Sequence, residues 1–238
     1  MIESLGNSKI KYASKLKQKK YRTEYGQFLV EGEHLIIEAI KSNNIDYLFS
    51  TETDSYDHVE TFQVSNEVFN KISELNNSTG LIAVCNKPKI KELSDKVLIL
   101  DGIQDPGNMG TLIRTAAAFG FNTIVAEDSV DFYNEKVIRS SQGAIFYVNI
   151  MDADIIKFIK THHDYHYFGT DVLTGSDIRD VDFNEERLAI ILGNEGNGIR
   201  NSIKELVNTN INIPMISTES LNVGIAGGIL MFEAFKEK

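Results

Sequence analysis

The sequence predicts an α/β protein in two parts, and three observations carry that prediction. Short apolar runs of strand length alternate with stretches of helical spacing. A charged, proline-interrupted stretch divides them, so we assign residues 1–86 to a first domain, 87–96 to a linker and 97–238 to a second domain. Near the end, the apolar run 188–192 empties into a glycine loop, Gly193 to Gly198, as a strand does at a ligand-binding edge of an open α/β sheet.

In chain order, residues 8–20 alternate bases with Ile10, Tyr12, Ala13 and Leu16, the pattern of a basic amphipathic helix. A short strand at 28–30 is broken by Glu31-Gly32, and Leu35, Ile36, Ala39 and Ile40 then have helical spacing. Strands at 45–50, 62–64 and 81–85 flank a helix at 66–72 that Ser65 caps. In the second part, a strand at 97–100 ends at Asp101-Gly102, and a helix after Asp105-Pro106-Gly107-Asn108 runs to Gly120. Further strands are predicted at 123–126, 145–150, 165–170 and 188–192, and helices at 134–140, 153–161 and 201–208. Residues 211–215 form a strand halted by Pro214, which has no N–H for a ladder. A helix then spans 223–235, its first half rich in small residues that admit a close neighbour.

Composition excludes several classes. The single cysteine, Cys85, rules out an intrachain disulfide and a cysteine-based zinc cluster, and we expect no metal. No run approaches the roughly 18 apolar residues of a membrane span, and the first residues lack a signal pattern, so the expectation is a cytoplasmic protein with no membrane partner. The net charge of −10 opposes binding nucleic acid over the whole surface, yet residues up to Arg22 carry +6 and the rest −16. That basic segment reads equally as a phosphate contact or as a solvated helix face. The spacing of Gly193, Gly196 and Gly198 is not that of a dinucleotide fold, and no phosphate loop, nucleophile elbow or metalloprotease motif occurs.

What remains is a polar set near strand ends: Asn108, Arg114, Glu195, Ser220 and Asn222. Asn108 opens a helix and suits a cap. Arg114 lies among apolar residues and needs an anion or a partner, for which Glu195 is a candidate; a structural ion pair and a functional one are both open.

These residues fall in three ordered motifs: 105–120 (DPGNMGTLIRTAAAFG), 192–199 (LGNEGNGI) and 213–215 (IPM) followed by 220–223 (SLNV). In this combination the chain resembles the SpoU, or TrmH-like, branch of the SPOUT RNA 2′-O-methyltransferases. The start, with 28–33 (FLVEGE), is similar to the smaller α/β/α, ribosomal-protein-like substrate-binding domain of many members. The resemblance implies a C-terminal SPOUT domain with a deep trefoil knot, a topology that general rules make rare. It implies S-adenosyl-L-methionine held by Leu192, Gly193, Asn194, Gly196, Ile213, Pro214, Met215 and Leu221, and a homodimer through the C-terminal domain with the site completed across the interface. The catalytic set it implies is Arg114, Asn108, Glu195, Ser220 and Asn222. A guanidinium is not normally a base, so Arg114 is assigned to electrostatic stabilisation of the incipient alkoxide or an adjacent phosphate, with base action open only if it is strongly perturbed; Asn108 and Glu195 are expected to orient it, and Ser220 and Asn222 to shape the loop near the ribose. Gly224 stands where a serine often follows, and no basic extension follows Phe235, which favours ribosomal over transfer RNA. The alternatives are a transfer-RNA 2′-O-methyltransferase and a non-catalytic RNA-binding assembly factor.

Overall fold

The structure, a computed structural model, describes residues 1–53, 56, 58–75, 78–90 and 92–235; Lys91 of the expected linker lies outside them. Contacts divide the chain into two units, Met1–Lys89 with Tyr133–Tyr147, and Ile90–Phe132 with Val148–Lys238.

In the first unit the basic segment forms two helices, α1 (Ser8–Lys15) and α2 (Lys19–Tyr25), rather than the single one expected over 8–20. Arg22 explains the break. Its buried guanidinium donates to the carbonyls of Leu16 (2.8 Å) and Lys17 (2.7 Å), satisfying acceptors that a continuing helix would have used. There follow β1 (Gln27–Glu31), α3 (Glu33–Lys41), β2 (Ile45–Ser50), β3 (Glu60–Gln63), α4 (Asn66–Ile72) and β4 (Leu81–Asn86). The strands make a sheet in the order β1-β4-β2-β3, with β4 antiparallel to both neighbours and β2 parallel to β3. Ile10, Phe49, Val68 and Ile82 meet in a fully buried core on one side of it.

The chain continues through β5 (Lys96–Asp101), α5 (Pro106–Ala118), β6 (Thr123–Glu127) and α6 (Glu135–Ser141). α6 and the turn after it belong to the first unit, where Phe28 packs on Tyr133 and Phe146 at ring distances of 4.7 and 5.9 Å and the Tyr147 hydroxyl donates to Glu38 (2.8 Å). The strand expected over 145–150 starts only at Asn149; its first part is a 3-10 turn at Ala144–Phe146, entered through Gly143 at φ +87°. A short apolar run does not by itself distinguish a buried strand from a buried turn.

The second unit resumes with β7 (Asn149–Asp152), α7 (Ile155–Thr161), β8 (His166–Thr170), β9 (Ser176–Asp177), β10 (Leu188–Gly193), α8 (Asn201–Lys204), β11 (Thr209–Asn212) and α9 (Val223–Glu233). Its seven strands lie in the order β7-β6-β5-β10-β8-β11-β9, and every neighbouring pair is parallel. A parallel sheet is covered on both faces, which is why β5 and β10 are unbroken apolar runs. Alternation sends Val97, Ile99, Ala189 and Ile191 to the face under α7 and α8, and Leu98, Leu100, Ile190 and Leu192 to the other, toward α5 and α9. α9 sits so close that a Cβ at Gly227 would lie 2.4 Å from the Leu112 side chain and 2.8 Å from Leu192. At the carboxyl edge Gly193 pairs in register with Asp101, so the loops leaving β5 and β10 start side by side. Among the described residues no helix is long and apolar enough to cross a membrane, and no group of three or more His, Cys, Asp or Glu could hold a metal ion.

Candidate functional site

The glycine loop after β10 is closed on itself. Asn194 and Gly198 exchange backbone hydrogen bonds of 3.1 and 2.9 Å, and Gly198 turns the chain at φ +67°. The Asn194 side chain fastens both ends: its Oδ1 accepts from the N–H groups of Gly196 (3.0 Å) and Asn197 (3.2 Å), while its Nδ2 donates to the carbonyl of Gly102 (2.8 Å). Gly193 is obligatory, since a Cβ there would fall 2.1 Å from the backbone of Gly198 and Ile199.

An ion-pair cluster absent from the sequence expectations anchors the loop's exit. The Asp101 carboxylate, 2% exposed, accepts from the backbone N–H (2.8 Å) and the Nε (2.6 Å) of Arg200, whose Nη2 reaches Glu127. Burial pulls the Arg200 guanidinium down, but its bonds to Glu127 and Asp101 outweigh that and raise it. A buried carboxylate with two donors is satisfied, and removing the Arg200 guanidinium would leave it a single backbone N–H and no countercharge from residue 200. The available signal was an acid at a strand end and an arginine just after a glycine loop, 99 residues apart, which no periodicity connects.

The second feature joins three of the expected residues. Asp105, not Asn108, caps α5, accepting the Asn108 N–H at 2.8 Å. The Asn108 side chain is thereby free to bridge: its Nδ2 donates to Glu195 Oε1 (3.1 Å) and its Oδ1 accepts from Asn222 Nδ2 (2.9 Å). Asn222 caps α9 with its own Oδ1, and Glu195 also accepts the N–H groups of Gln104 and Asp105. Burial pushes the Glu195 carboxyl up, yet its own backbone N–H, then Asn108 and the N–H groups of Asp105 and Gln104, outweigh that and hold it below the usual glutamate range. The chain Glu195, Asn108, Asn222 therefore ties the glycine loop, the start of α5 and the start of α9 together, with an anion at one end.

Between the glycine loop and the segment after β11 lies a cavity of about 430 Å³. Leu192, Gly193, Asn194 and Gly196 line one side, with Glu195; Ile213, Met215, Ser220 and Leu221 line another. Pro214 is exposed and outside the lining. The end wall holds Asp171, whose carboxylate takes Lys204 Nζ (3.0 Å) and the Leu173 N–H (2.9 Å) and is held at about 2 by the lysine first and the N–H second. Asn212 contributes a buried side-chain oxygen with no partner among the described residues. A buried acceptor without a donor is uncommon in a finished core and is accounted for by a ligand or water.

Arg114 is placed elsewhere. It is exposed on α5, lines no part of the cavity, and among the described residues makes no hydrogen bond or ion pair; Glu195 is occupied by Asn108 and backbone instead. Beside α5, α9 turns outward Ile225 (55% exposed) and Phe232 (60%), seven residues apart and so on one helical face.

The profile of the SpoU rRNA Methylase family matches residues 95–232, and that of the MRM3-like substrate binding domain matches residues 7–83. The 23S rRNA (guanosine(2553)-2′-O)-methyltransferase RlmP of Bacillus subtilis is 36% identical over 242 residues, covering 97% of this chain and 97% of that protein. An rRNA methyltransferase from Sinorhizobium meliloti superposes with a TM-score of 0.88 at 26% identity, covering 98% of this chain and 96% of that one; its AdoMet-bound form gives 0.86 with the same coverage. With a family profile spanning the parallel-sheet unit and its glycine loop, and a relative matched almost end to end, the chain belongs to the SpoU rRNA methylase family.

Proposed function

We propose that this protein transfers a methyl group from S-adenosylmethionine to a ribose 2′-hydroxyl of ribosomal RNA, and that the cavity beside Gly193 is its cofactor site. The observation that carries this reading is that cavity: about 430 Å³ walled by the glycine loop and the 213–221 segment, within the roughly 300–1,000 Å³ of small-molecule sites. The residues fit the cofactor. Apolar Leu192, Ile213 and Leu221 suit an adenine ring, and the unpaired Asn212 oxygen suits a donor on adenine or ribose. When bound, S-adenosylmethionine supplies an electrophilic methyl carried on a sulfonium.

The chain's own task is to align the acceptor oxygen and stabilise the charge that develops on it. Glu195 orients Asn108 and Asn108 orients Asn222, which fixes the loop bearing Ser220 at the cavity rim. The Arg114 guanidinium stabilises the forming alkoxide or holds the adjacent phosphate. Its distance from the cavity lining is met by a homodimer built on α5 and α9, in which the apolar pair Ile225 and Phe232 is covered and Arg114 completes the partner subunit's site. The trefoil knot belongs to the same reading: the chain leaves β11 at the far side of β8 and returns so that Gly227 lies against Leu192 of β10. A ribosomal substrate implies work in the cytoplasm.

The relative's name makes a guanosine of 23S rRNA the first target to assay. Labelled methyl transfer to unmodified 23S rRNA and to transfer RNA in parallel, followed by digestion to nucleosides, tests the reading. The expected product is 2′-O-methylguanosine from 23S rRNA alone. Label in transfer RNA alone would reassign the substrate. Label in neither, with S-adenosylhomocysteine still bound, would replace catalysis by a non-catalytic RNA-binding role.

A further inference from the structure

Seven cations precede residue 23, and the fold uses them unequally. Lys9 lies over the rings of Tyr47 and Phe62 and within 3.9 Å of Glu60; Lys17 donates to the Ser73 carbonyl; Arg22 is buried at the end of α1. Lys11, Lys15 and Lys20 are exposed and, among the described residues, make no hydrogen bond or ion pair. Glu24 is the sole acid on α1 and α2.

Between these helices three tyrosines form a stack. Tyr12 and Tyr25 lie 4.9 Å apart at 18°, and Tyr25 and Tyr21 lie 5.8 Å apart at 26°. The stack is anchored at one end only. Tyr12 donates its hydroxyl to Gln27 (2.7 Å), and both Tyr12 and Tyr25 pack against the core of the unit. Tyr21 has no such role: it is half-buried, lies outside that core, and its hydroxyl has no partner among the described residues. The ammonium groups of Lys15 and Lys20 stand 5.3 and 5.6 Å from its ring centre.

We propose that Tyr21 is a stacking platform for one unpaired base of the RNA, with Lys15 and Lys20 on the flanking phosphates. This rests on the reading of the protein as an RNA-acting enzyme and adds a specific contact to it. An aromatic ring at the end of a rigid stack offers its face to any base, and cations beside it track the backbone, which is how proteins hold single strands. An acidic peptide would use the lysines but leave the ring idle. The lysine stems are flexible, so a base displaces them toward its own phosphates. The prediction concerns single-stranded RNA, since bases stacked within a duplex present no free face.

The test is fluorescence anisotropy of a labelled single-stranded oligoribonucleotide, and of its duplex, with wild-type protein, Tyr21→Ala, Tyr21→Phe and the double variant Lys15→Gln/Lys20→Gln. Tyr21→Ala is expected to weaken single-strand binding about tenfold, while Tyr21→Phe, which keeps the ring, stays within about twofold. The lysine double variant should lower the salt slope by roughly one. Tyr21→Ala binding like wild type overturns the platform; so does Tyr21→Phe being as weak as Tyr21→Ala, or a wild type with no affinity for the single strand. The methyl-transfer assay separates the two readings. Transfer by wild type with an unchanged RNA KM in Tyr21→Ala sinks the platform alone. No transfer by wild type, with Tyr21→Ala still tenfold weaker in binding, sinks the enzymatic reading and keeps the contact.

Discussion

The glycine loop and the outer face of α5 and α9 lie in the same unit yet are finished to different degrees. In the loop, Asn194 satisfies three partners, Arg200 neutralises buried Asp101, and Glu195 is held below the usual glutamate range by backbone N–H groups and Asn108. On the helix face, Arg114 has no partner among the described residues, and Ile225 and Phe232 stand in water. A cation without an anion beside uncovered apolar side chains is ordinary at a surface that meets something else. The contrast teaches that the cavity is walled within one chain while Arg114 is presented outward; in the proposed reading that outward cation is the group that acts on the acceptor.

The strongest way to break this division is Arg114→Ala. Removing one group that stabilises developing charge costs about a hundred- to a thousandfold in rate. Calorimetry with S-adenosylhomocysteine should show unchanged affinity, because Arg114 lines no part of the cavity. Weakened cofactor binding would move Arg114 into the pocket and end the comparison. Subunit mixing sharpens it further. Leu221→Glu puts a carboxylate in the cavity wall and should lose the cofactor. If Arg114 serves the partner's site, equal mixing of these two inactive proteins restores about a quarter of wild-type turnover, since half the dimers are mixed and each has one intact site. No recovery after verified exchange would put Arg114 back on its own subunit's pocket.

Phe232→Glu addresses the apolar half of the same face. Sedimentation should report a monomer, and transfer should fall with the dimer while the melting temperature of the unit holds. A dimer that survives this charge would place the interface elsewhere. The inner face of α9 gives the opposite expectation: Gly227→Ala drives a methyl into Leu112 and Leu192 and should cost about 1–3 kcal/mol in denaturant unfolding. Gly228, whose Cβ would meet only the Thr115 methyl at 3.9 Å, should accept alanine without loss. Equal costs at both positions would mean that α9 is not packed against the sheet as described.

How much of this was legible depended on whether a feature is local in sequence. The unbroken apolar runs of β5 and β10 and the glycines at 193, 196 and 198 announced a parallel strand opening into a loop, because burial on both faces and a tight turn are local demands. The juxtaposition of Asn108, Glu195 and Asn222 followed from recognising three motifs together; spacing alone left Asn108 as a cap, a job that Asp105 does. The Arg200 cluster was invisible, since an ion pair spanning 99 residues leaves no periodic trace. The split of the basic segment was equally hidden, because the side chain that ends α1 sits five and six residues beyond the two carbonyls it satisfies, on another helix.

The smallest expected effect lies at the end wall of the cavity, where Asp171 tests whether the pocket's electrostatics are structural. Its carboxyl is held at about 2 by Lys204 and the N–H of Leu173, against roughly 3.9 in an unfolded chain. The unfolded state therefore binds the proton more readily, and the stability this group contributes is present above about pH 4 and lost as pH falls toward 2. Asp171→Asn should lower the melting temperature by a constant few degrees from neutral pH to about pH 4, and the gap to wild type should close as both approach pH 2. A gap that persists at pH 2 would assign the loss to the turn geometry that Asp171 sets through Leu173 and Thr174 rather than to its charge. The same variant with cofactor affinity intact would mean that Asp171 and Lys204 brace the wall without touching what it holds.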